Sequence, residues 1–455
     1  MRHIGWAWLV ASSILLAWRA GAETRPQYGG TLHVAVREAP ASLDPGDVKQ
    51  ADSLARRNLL ALIFETLVIV DERGRVHPGL AVDWHPESDD QRWIFRLRRG
   101  VTFHDGSPLT AAMAASSLRT ANPSWKVFVE GELVVVECEP ADPHLPAKLA
   151  STGNSIVKKD GGEKLSGTGP FHIEQWQAGK KLILAAEENH WRGRPFVDAI
   201  EIELGRNLHE QSVELELGKA DLIEVPPEQV HGAGMDDKRM SSSQPMELLA
   251  LVFNRAAGTP DEKMLRSALA HSVDRVSMRS VLLQSGQMTE SILPNWMSGY
   301  GFTFLRDPDL KLARSEREQV RTAPGWTVGY DANDSLARVL VERIALNASD
   351  AGLVLRPTTA ANADVRLVRI PLASSDPWIA LESAADSLGI TMQNGKTDSE
   401  EDLYEAERSL LRSERVIPLF HLPANYASSP ALKGFRVAAD GAWHLDEVWI
   451  GKDRP

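Results

Sequence analysis

The chain has 455 residues, of which 43% are hydrophobic and 25% are charged, and it carries a formal net charge of -12 at pH 7. This is the composition of an ordinary globular protein with a sizeable core, and the length corresponds to about three domains or to fewer large ones. The negative charge argues against nucleic acids and anionic membrane surfaces as partners.

The start of the chain has the three parts of a secretory signal peptide. Arg2 gives a charged beginning, residues 4–17 form an apolar run too short to span a bilayer comfortably, and Ala20-Gly21-Ala22 is an A-x-A cleavage site. We expect residues 1–22 to be removed on export, with a retained N-terminal anchor as the alternative. No later apolar run approaches a spanning length, so we expect a soluble mature protein that begins near Glu23.

Cys138 is the only cysteine of the chain. A single cysteine cannot form an intrachain disulfide, and the lipid-accepting cysteine of a lipoprotein signal is missing from the cleavage site. These two facts predict a free periplasmic protein without a lipid anchor.

The pattern that follows predicts strands, a helix and a hairpin. Residues 32–36 and 93–97 alternate in polarity as strands do. Apolar residues recur at helical spacing between residues 52 and 70, which predicts one helix over that stretch. The segment 128–139 predicts two strands joined at Glu130-Gly131.

Residues 164–204 predict a three-stranded meander. Gly167-Thr168-Gly169-Pro170 is a turn cluster, because glycine tolerates positive φ and proline cannot donate to a ladder. The two strands expected after this cluster alternate in polarity around a turn at Ala178-Gly179-Lys180. A polar and aromatic loop around Asn189 separates them from a third strand at 197–204.

Helices and strands alternate in the second half of the chain. Thr259-Pro260-Asp261-Glu262 is the clearest helix start, with a capping threonine, a proline at the first helical position and a glutamate three residues after the cap. Such alternation indicates an α/β domain. The other elements expected from residue 217 onward are a short helix and a strand within 217–225, strands at 248–253, 326–329, 353–357, 365–370 and 416–420, and a helix at 335–346.

Four ordered motifs stand out: FETL at 64–67, GVTFHDGSPLT at 100–110, GTGPF at 167–171 and ENHWRGRP at 188–195. In this order they resemble the extracellular solute-binding proteins of peptide- and nickel-type ABC importers, often called solute-binding family 5. FN at 253–254 and PLF at 418–420 extend the resemblance over nearly all of residues 29–451. The chain departs from the family after Thr110, where AAMAA replaces an acidic helix start.

The resemblance implies an α/β, two-lobed periplasmic binding protein fold. The first lobe would comprise residues 23–245, with an inserted subdomain at 44–165 that is trimmed, because the interval before GTGPF is shorter than typical. The second lobe would be residues 246–422, and a tail at 423–455 would return to the first lobe. The lobes would close on a ligand at the strands where the chain crosses between them.

The resemblance also implies a function. The protein would be a monomer without a cofactor that captures a small solute, peptide-like or otherwise polar, and hands it to the membrane subunits of an ABC importer. One alternative is a ligand-poor relative that acts as a sensor or scaffold partner. The other is a serine hydrolase with Ser155 and Lys158 of an S-x-x-K motif and Lys396-Thr397-Asp398, but about one such match is expected by chance in this length. We therefore expect no enzyme activity.

Metal and cofactor motifs are missing from the sequence. The 13 histidines are scattered without the spacing of metal ligands, so no protein-built metal site is expected. No P-loop, G-x-S-x-G or H-E-x-x-H motif occurs. In the nickel-type relatives the metal arrives chelated by a small molecule, so the scattered histidines do not exclude that class of ligand.

A loop of the second lobe is expected to contact the ligand. In the peptide-binding members an acidic residue of a W-x-x-D-Y-x-D-P-like loop pairs with the ligand's amino group, and the corresponding stretch here is residues 369–378. Matching Asp376-Pro377 to the final D-P places Ala373 at the amine-binding position, so the carboxylate is absent there. Asp376 could replace it only in a shifted loop, and the other interpretation is an ordinary turn-forming Asp-Pro.

We therefore expect weak binding of charged α-amino groups, because a desolvated ammonium needs a paired carboxylate. Trp378 is the tryptophan that we favour for stacking on a ligand, since it lies near a predicted loop of the second lobe. The candidate ligand-binding residues are Asp52, Ser53, Asn254, Arg369, Ala373, Asp376 and Trp378.

The signal peptide gives a testable prediction. The exported protein is expected to begin near Glu23, because signal peptidase cleaves after an A-x-A site. N-terminal sequencing of the periplasmic fraction measures the cleavage position. An intact Met1 in the membrane fraction would show that the segment is a retained anchor.

Overall fold

The computed structural model describes residues 25–47, 49–50, 52–159, 164–230, 239–304, 308–390, 392 and 399–451. The predicted signal peptide, residues 1–22, and Lys396-Thr397-Asp398 lie outside the described residues. Within these ranges, no helix is both long enough and apolar enough to cross a membrane.

The strands, in chain order, are β1 (Thr31–Ala35), β2 (Val68–Val70), β3 (Val76–Pro78), β4 (Ala81–Glu87), β5 (Arg92–Leu97), β6 (Lys126–Glu130), β7 (Leu133–Glu137), β8 (Lys158–Lys159), β9 (Leu165–Ser166), β10 (Phe171–Gln177), β11 (Lys181–Ala186), β12 (Ala199–Glu203), β13 (Leu222–Val225), β14 (Arg239–Phe253), β15 (Gln287–Met288), β16 (Trp326–Gly329), β17 (Leu355–Thr358), β18 (Val365–Pro371), β19 (Val416–Ser428), β20 (Leu432–Lys433) and β21 (Trp449–Ile450). The α-helices are α1 (Leu54–Ala61), α2 (Ala111–Ala121), α3 (Leu145–Leu149), α4 (Leu208–Glu216), α5 (Pro260–Ser272), α6 (Arg275–Leu282), α7 (Asn295–Ser298), α8 (Leu310–Gln319), α9 (Ser335–Asp350), α10 (Pro377–Ser387) and α11 (Glu400–Arg412).

The largest sheet runs through both halves of the molecule. Its strand order is β10-β11-β12-β1-β13-β19-β14-β18-β16-β17, and β15 pairs with β19. The strands of the first half lie at one end and β16 to β18 lie at the other, while the long strands β14 and β19 join the two ends. Helices pack on this mixed sheet, so the α/β class predicted from the sequence is confirmed.

β14 and β19 form an antiparallel ladder along most of their lengths. One end of the ladder continues into β13 and the other end into β18. The register shifts on both sides of Pro245, which lies opposite Pro423. Neither proline has a backbone N–H, so the ladder loses hydrogen bonds where the chain passes from one lobe to the other. The lobe boundaries at 245/246 and 422/423 stay a prediction, which this weak step supports.

In the second lobe β14 is covered on both faces. Leu249 and Leu251 belong to a core that includes α5 and α9. Leu248 and Ala250 belong to another core, under α10 and α11. A strand with helices on both faces shows no polar alternation. The sequence therefore predicted only the apolar part of β14, at 248–253, and missed its polar beginning.

A separate antiparallel sheet of strands β4, β5, β7 and β6 forms a small subdomain of the first lobe. Its core joins Phe95 and Val134 of this sheet with Leu118 of α2. The hairpin predicted at Glu130-Gly131 is confirmed as β6 and β7. These elements lie within the predicted insertion at 44–165, and its trimmed length stays a prediction.

The predicted meander is confirmed as β10, β11 and β12, but the reason given for the glycines before it was wrong. Neither Gly167 nor Gly169 has a positive φ. A Cβ on Gly167 would collide with the carbonyl oxygen of Ile63, and a Cβ on Gly169 would lie 2.7 Å from the same oxygen. Glycine is required here because two backbone segments touch.

The helix predicted over residues 52–70 was wrong in its second half, because the helix ends as α1 after two turns. The carbonyl groups of Leu62 and Ile63 accept hydrogen bonds from the N–H groups of Phe171 and Gly169, each at 3.0 Å. In a continuing helix these carbonyls would accept from N–H groups four residues later. A tertiary contact therefore ends the helix.

Capping residues place two other helices. The helix expected within 217–225 lies earlier, as α4, because Asn207 and Glu210 form a capping box at its start and Gly218, with φ 66°, follows its end. The helix start at Thr259 is confirmed, since its hydroxyl accepts the N–H of Glu262 at 3.1 Å. The elements predicted between residues 326 and 370 are confirmed as β16, α9, β17 and β18.

Glu65 joins three of the four sequence motifs in what we call the Glu65 lock. Its Oε2 accepts hydrogen bonds from Thr168 Oγ1 and from Trp191 Nε1, each at 2.9 Å. The guanidinium group of Arg98 lies 4.3 Å from the centre of the Trp191 ring. Glu65 comes from FETL, Thr168 from GTGPF and Trp191 from ENHWRGRP. These motif residues therefore stabilise the first lobe from inside.

Glu407 of α11 is fully buried in the second lobe. Its Oε1 accepts the backbone N–H groups of Ile292 and Leu293 at 2.5 and 2.9 Å. Burial disfavours the carboxylate and raises the pKa of Glu407 to about 7, although the two hydrogen bonds oppose this shift. The carboxyl group thus fastens the segment before α7 to α11.

Removing the Glu65 carboxylate tests the lock. Glu65→Ala is expected to lower the free energy of unfolding by about 2–4 kcal/mol, because Thr168 and Trp191 lose their acceptor and hydrogen bonds to charged groups contribute about 1.5–3 kcal/mol. Urea denaturation followed by circular dichroism measures the change. Glu188→Ala is the matched control, since Glu188 is exposed and its ion pair with Arg194 contributes about 1 kcal/mol or less. Equal losses in both variants would contradict the lock.

Candidate ligand-binding site

A cavity of about 140 Å³ lies between the two lobes. Its walls come from the first lobe, the second lobe and the tail. The first lobe contributes α1 and residues 150–152, the second lobe contributes residues 373–375 with Ile379, and the tail contributes Asp440 and Ala442. Ligand sites with walls from several segments are typical of the space between domains.

The first wall is the beginning of α1. Ser53 caps this helix, with its Oγ accepting the N–H of Arg56 at 3.1 Å. The guanidinium group of Arg57 forms a bidentate pair with Asp52 at 2.6 and 2.7 Å, and it donates to the carbonyl of Leu372 in the second lobe at 2.8 Å. The positive charge of Arg57 is therefore matched within the wall.

The second wall is the loop between β18 and α10. Asp376 caps α10 by accepting the N–H groups of Trp378 and Ile379 at 2.9 and 3.1 Å. Ser374 Oγ accepts the N–H of Asp376 at 3.1 Å and fixes the loop before the cap. Ser375 is only 4% exposed, and its Oγ has no hydrogen-bond partner among the described residues.

The third wall is a turn of the tail that Asn58 of α1 holds in place. The Asn58 side chain donates to the carbonyl of Gly441 and accepts the N–H of Trp443, both at 3.0 Å. Gly441 has φ 83°, and a Cβ there would lie 2.7 Å from the side chain of Leu54. Only glycine fits this position, so the turn is fixed against α1.

Asp440 lies on this turn at the cavity. Its Oδ1 accepts the N–H of Ala442 at 3.0 Å. Burial raises the pKa of Asp440 and the nearby Glu72 raises it further, while the Ala442 N–H and His444 lower it. In the part of the chain that the structure describes, no lysine or arginine forms an ion pair with Asp440. Among the described residues, Asp440 is therefore a cavity-lining carboxyl group without a lysine or arginine partner.

Contacts between the lobes surround the cavity. Lys148 Nζ of the first lobe lies 3.0 Å from Glu382 Oε1 of the second. The ring of His144 lies 5.3 Å from the ring of Trp378. With the hydrogen bond from Arg57, these contacts join the two lobes around the cavity.

Five of the predicted residues lie at this site or beside it. Ala373 lines the cavity, Asp52 and Ser53 directly precede the lining helix α1, and Trp378 directly precedes the lining residue Ile379. Asp376 lies in the loop wall, but its carboxylate is engaged as the cap of α10. Their contact with a ligand stays a prediction.

Arg369 and Asn254 lie elsewhere. The guanidinium group of Arg369 pairs with Glu247 at 2.8 Å and with Asp334 at 3.2 Å. Side chains alternate along β18, so Arg369 lies on the sheet face opposite to its neighbours along the strand. Asn254 follows the last residue of β14, and its N–H donates to the carbonyl of Asp364 at 3.1 Å. The structure places neither among the residues lining the cavity.

Sequence reasoning missed Asp440, Asn58 and Ser375. The stretch around Gly441 indicates a turn, but a turn signal does not tell which wall the turn completes. Asn58 lies on the polar side of the predicted helix, and nothing in the sequence pattern marked it as a site residue. The loop containing Ser375 was found, although only its neighbours Ala373 and Asp376 were singled out.

The serine and lysine of the hydrolase hypothesis belong to a different place. Ser155 donates its hydroxyl hydrogen to the carbonyl of Thr152 at 2.8 Å. Lys158 pairs with Asp105, and this hydrogen bond holds the pKa of Asp105 well below its usual range. Both line a cavity of about 210 Å³ inside the first lobe. A lysine that activates a serine must be neutral, and a carboxylate partner favours its charged form.

The Asn58 hydrogen bonds give a prediction for the tail wall. Asn58→Ala is expected to lower the free energy of unfolding by about 2–4 kcal/mol, because the Gly441 carbonyl and the buried Trp443 lose partners worth about 1–3 kcal/mol each. Chemical denaturation measures the loss. Asn333→Ala, at an exposed turn, is the control and is expected to change stability by about 0.5 kcal/mol or less. A loss of stability no larger than that of the control would contradict the conclusion that Asn58 holds the tail turn in place.

Known proteins resemble the chain in sequence. A model of the bacterial extracellular solute-binding proteins, family 5, matches residues 75–363. The nickel-binding protein NikA of Staphylococcus aureus is 24% identical over 235 residues, which is 48% of each protein. The oligopeptide-binding protein OppA of Bacillus subtilis is 21% identical over 367 residues, 68% of this chain and 67% of the relative. The chain thus matches about half the length of the first relative and two thirds of the second.

Solved structures resemble the chain in fold. DppA from Helicobacter pylori, in complex with the peptide STSA, superposes with a TM-score of 0.80 at 16% identity, covering 94% of this chain and 99% of that one. The comparison confirms the two-lobed periplasmic binding protein fold expected from the sequence.

Proposed function

This chain belongs to the bacterial extracellular solute-binding proteins of family 5, and on that premise we propose that it captures a small polar solute between its lobes and delivers it to an ABC importer. The observation that carries the proposal is the cavity of about 140 Å³ with walls from both lobes and the tail. A solute in this cavity contacts each part that moves on closure. Its binding energy therefore favours the closed arrangement.

The cavity limits the size of the solute. Pockets for drug-sized ligands measure about 300–1,000 Å³, and this one measures about 140 Å³. Thr152 and Asp440 are polar residues of its lining, while Met246 and Ile379 are apolar ones. These features favour a polar molecule of roughly amino-acid to dipeptide size, and a longer peptide would require wider separation of the lobes.

The relatives suggest two chemical classes of ligand. Their names state that one binds nickel and another binds oligopeptides, and the similar solved structure holds a peptide. In the described residues, no group of three or more histidine, cysteine or acidic side chains could hold a metal ion. For this chain we propose a peptide-like or other polar solute, and a metal would enter only as a chelate.

Compartment and partners belong to the same proposal. The signal peptide expected at 1–22 would direct the chain to the periplasm, where it would act as a monomer without a cofactor. Its protein partners would be the membrane subunits of the importer. The role is binding and release of an unchanged solute, so neither catalysis nor nucleic acid enters it.

A thermal-shift screen of amino acids, short peptides, sugars and metal chelates tests binding. A solute that binds only the folded protein is expected to stabilise it by about 2.7 kcal/mol at a concentration of 100 times Kd, and so to raise Tm. Ala373→Phe fills the cavity and is expected to remove the shift, whereas Ala256→Phe at an exposed position keeps it. If no compound raises Tm, solute capture is wrong and the sensor or scaffold alternative gains support.

A further inference from the structure

The charge balance of the cavity is uneven. Arg57 is neutralised by its bidentate pair with Asp52, and its remaining amino group donates to the Leu372 carbonyl. Asp440 has no ion-pair partner in the described ranges, where its carboxylate accepts the N–H of Ala442 at Oδ1 and interacts with its own backbone N–H. No ion pair therefore competes with a ligand for this carboxylate.

The surroundings of Asp440 do not supply a compensating cation. Glu72, in the turn after β2, accepts the N–H of Ala439 at 3.0 Å and adds a second negative charge nearby. The nearby His444 lowers the pKa of Asp440, but no lysine or arginine of the described residues pairs with this carboxylate. A poorly solvated carboxylate in this setting is stabilised by any cation that reaches it.

The opposite wall contributes no charge to the cavity. Residues 373–375 of the second lobe line the same cavity as Asp440, and none of them is charged. The hydroxyl oxygen of Ser375 is closed off from water, so Ser375 meets the cavity with other atoms. Asp440 is therefore the charged group that faces this loop wall from the tail.

We infer that Asp440 binds a cationic nitrogen of the solute, so that the tail wall supplies the carboxylate that Ala373 does not supply in the loop wall. The inference rests on the proposed function and names the ligand class as a small primary amine. It replaces the expectation that charged amino groups bind weakly, because that expectation considered only the loop at 369–378. Asp376, engaged as a helix cap, is not needed for this role.

The expected energetic effect is large because Asp440 lies in a confined cavity, where burial already disfavours its charged form. A charge-assisted hydrogen bond between an ammonium group and a carboxylate recovers much of the cost of desolvating both. Removing one partner of such a pair costs about 2–5 kcal/mol, which corresponds to a loss of affinity of roughly 30-fold to several thousand-fold, since each factor of ten is about 1.36 kcal/mol.

Calorimetric titration of the mature protein tests the inference. The probes are amino acids, dipeptides and small diamines, each beside its N-acetylated form, and they are titrated into the wild type and three variants. Asp440→Asn keeps the acceptor for Ala442 and loses the charge, Asp376→Asn tests the rival carboxylate, and Asp386→Asn at an exposed site is the matched control. Because burial raises the pKa of Asp440, replacing this carboxylate with a neutral amide is not expected to lower Tm.

Support requires a probe that binds the wild type and the Asp386 variant, loses binding on acetylation, and binds Asp440→Asn on the order of 100-fold more weakly. Equal affinity in Asp440→Asn, or a loss confined to Asp376→Asn, would overturn the inference and leave solute capture intact. Binding of neutral probes alone would likewise overturn the inference and leave solute capture intact. If no probe binds, and no sugar or chelate binds either, the inference and the proposed solute capture are both overturned.

A pH series checks the same assignment without a variant. Affinity for the amine is expected to fall on acidification as Asp440 is protonated, and at a higher pH than for an ordinary aspartate, because burial and Glu72 raise its pKa. Glu72 and His444 lie near Asp440, and Arg57 lines the same cavity. The pH dependence of the affinity therefore reflects the combined electrostatic effect of these charged groups. An affinity for the amine that stays constant on acidification would contradict the role of Asp440.

Discussion

The antiparallel ladder of β14 and β19 is the constraint on which the other features depend. Both lobes build outward from it, and it brings the tail back to the first lobe. Pro245 and Pro423 face each other at the predicted boundary of the lobes, and neither supplies a backbone N–H to the ladder. Met246, directly after this step, lines the cavity. The predicted boundary and the cavity wall therefore share one short segment.

The motifs that identify the family serve stability more than recognition. Glu65, Thr168 and Trp191 come from three separate motifs and meet in the Glu65 lock. Gly167 and Gly169 allow two backbone segments to touch. None of these five residues lines the cavity between the lobes. A first lobe fixed in this way can carry different solute-contacting residues on its loops without losing its fold.

Local chemistry made much of the fold predictable, and tertiary contacts decided the rest. The cap at Thr259 and the alternation of the meander depend only on neighbours in sequence, so both were predicted correctly. The end of α1 depends on carbonyl groups that bind residues 169 and 171, more than a hundred positions away. Asp440 reaches the cavity only because Asn58 fastens the tail turn. No pattern within the turn itself contains that information.

Glu407 links the folding of the second lobe to proton uptake. Its pKa is about 7 in the folded protein against an ordinary value of 4.5, so between these values the folded chain holds a proton that the unfolded chain has released. Stability from this group is complete below the ordinary value and is lost as pH rises through 7. Unfolding in mildly acidic solution therefore liberates hydrogen ions, and the heat that a calorimeter records includes the ionisation enthalpy of the surrounding buffer.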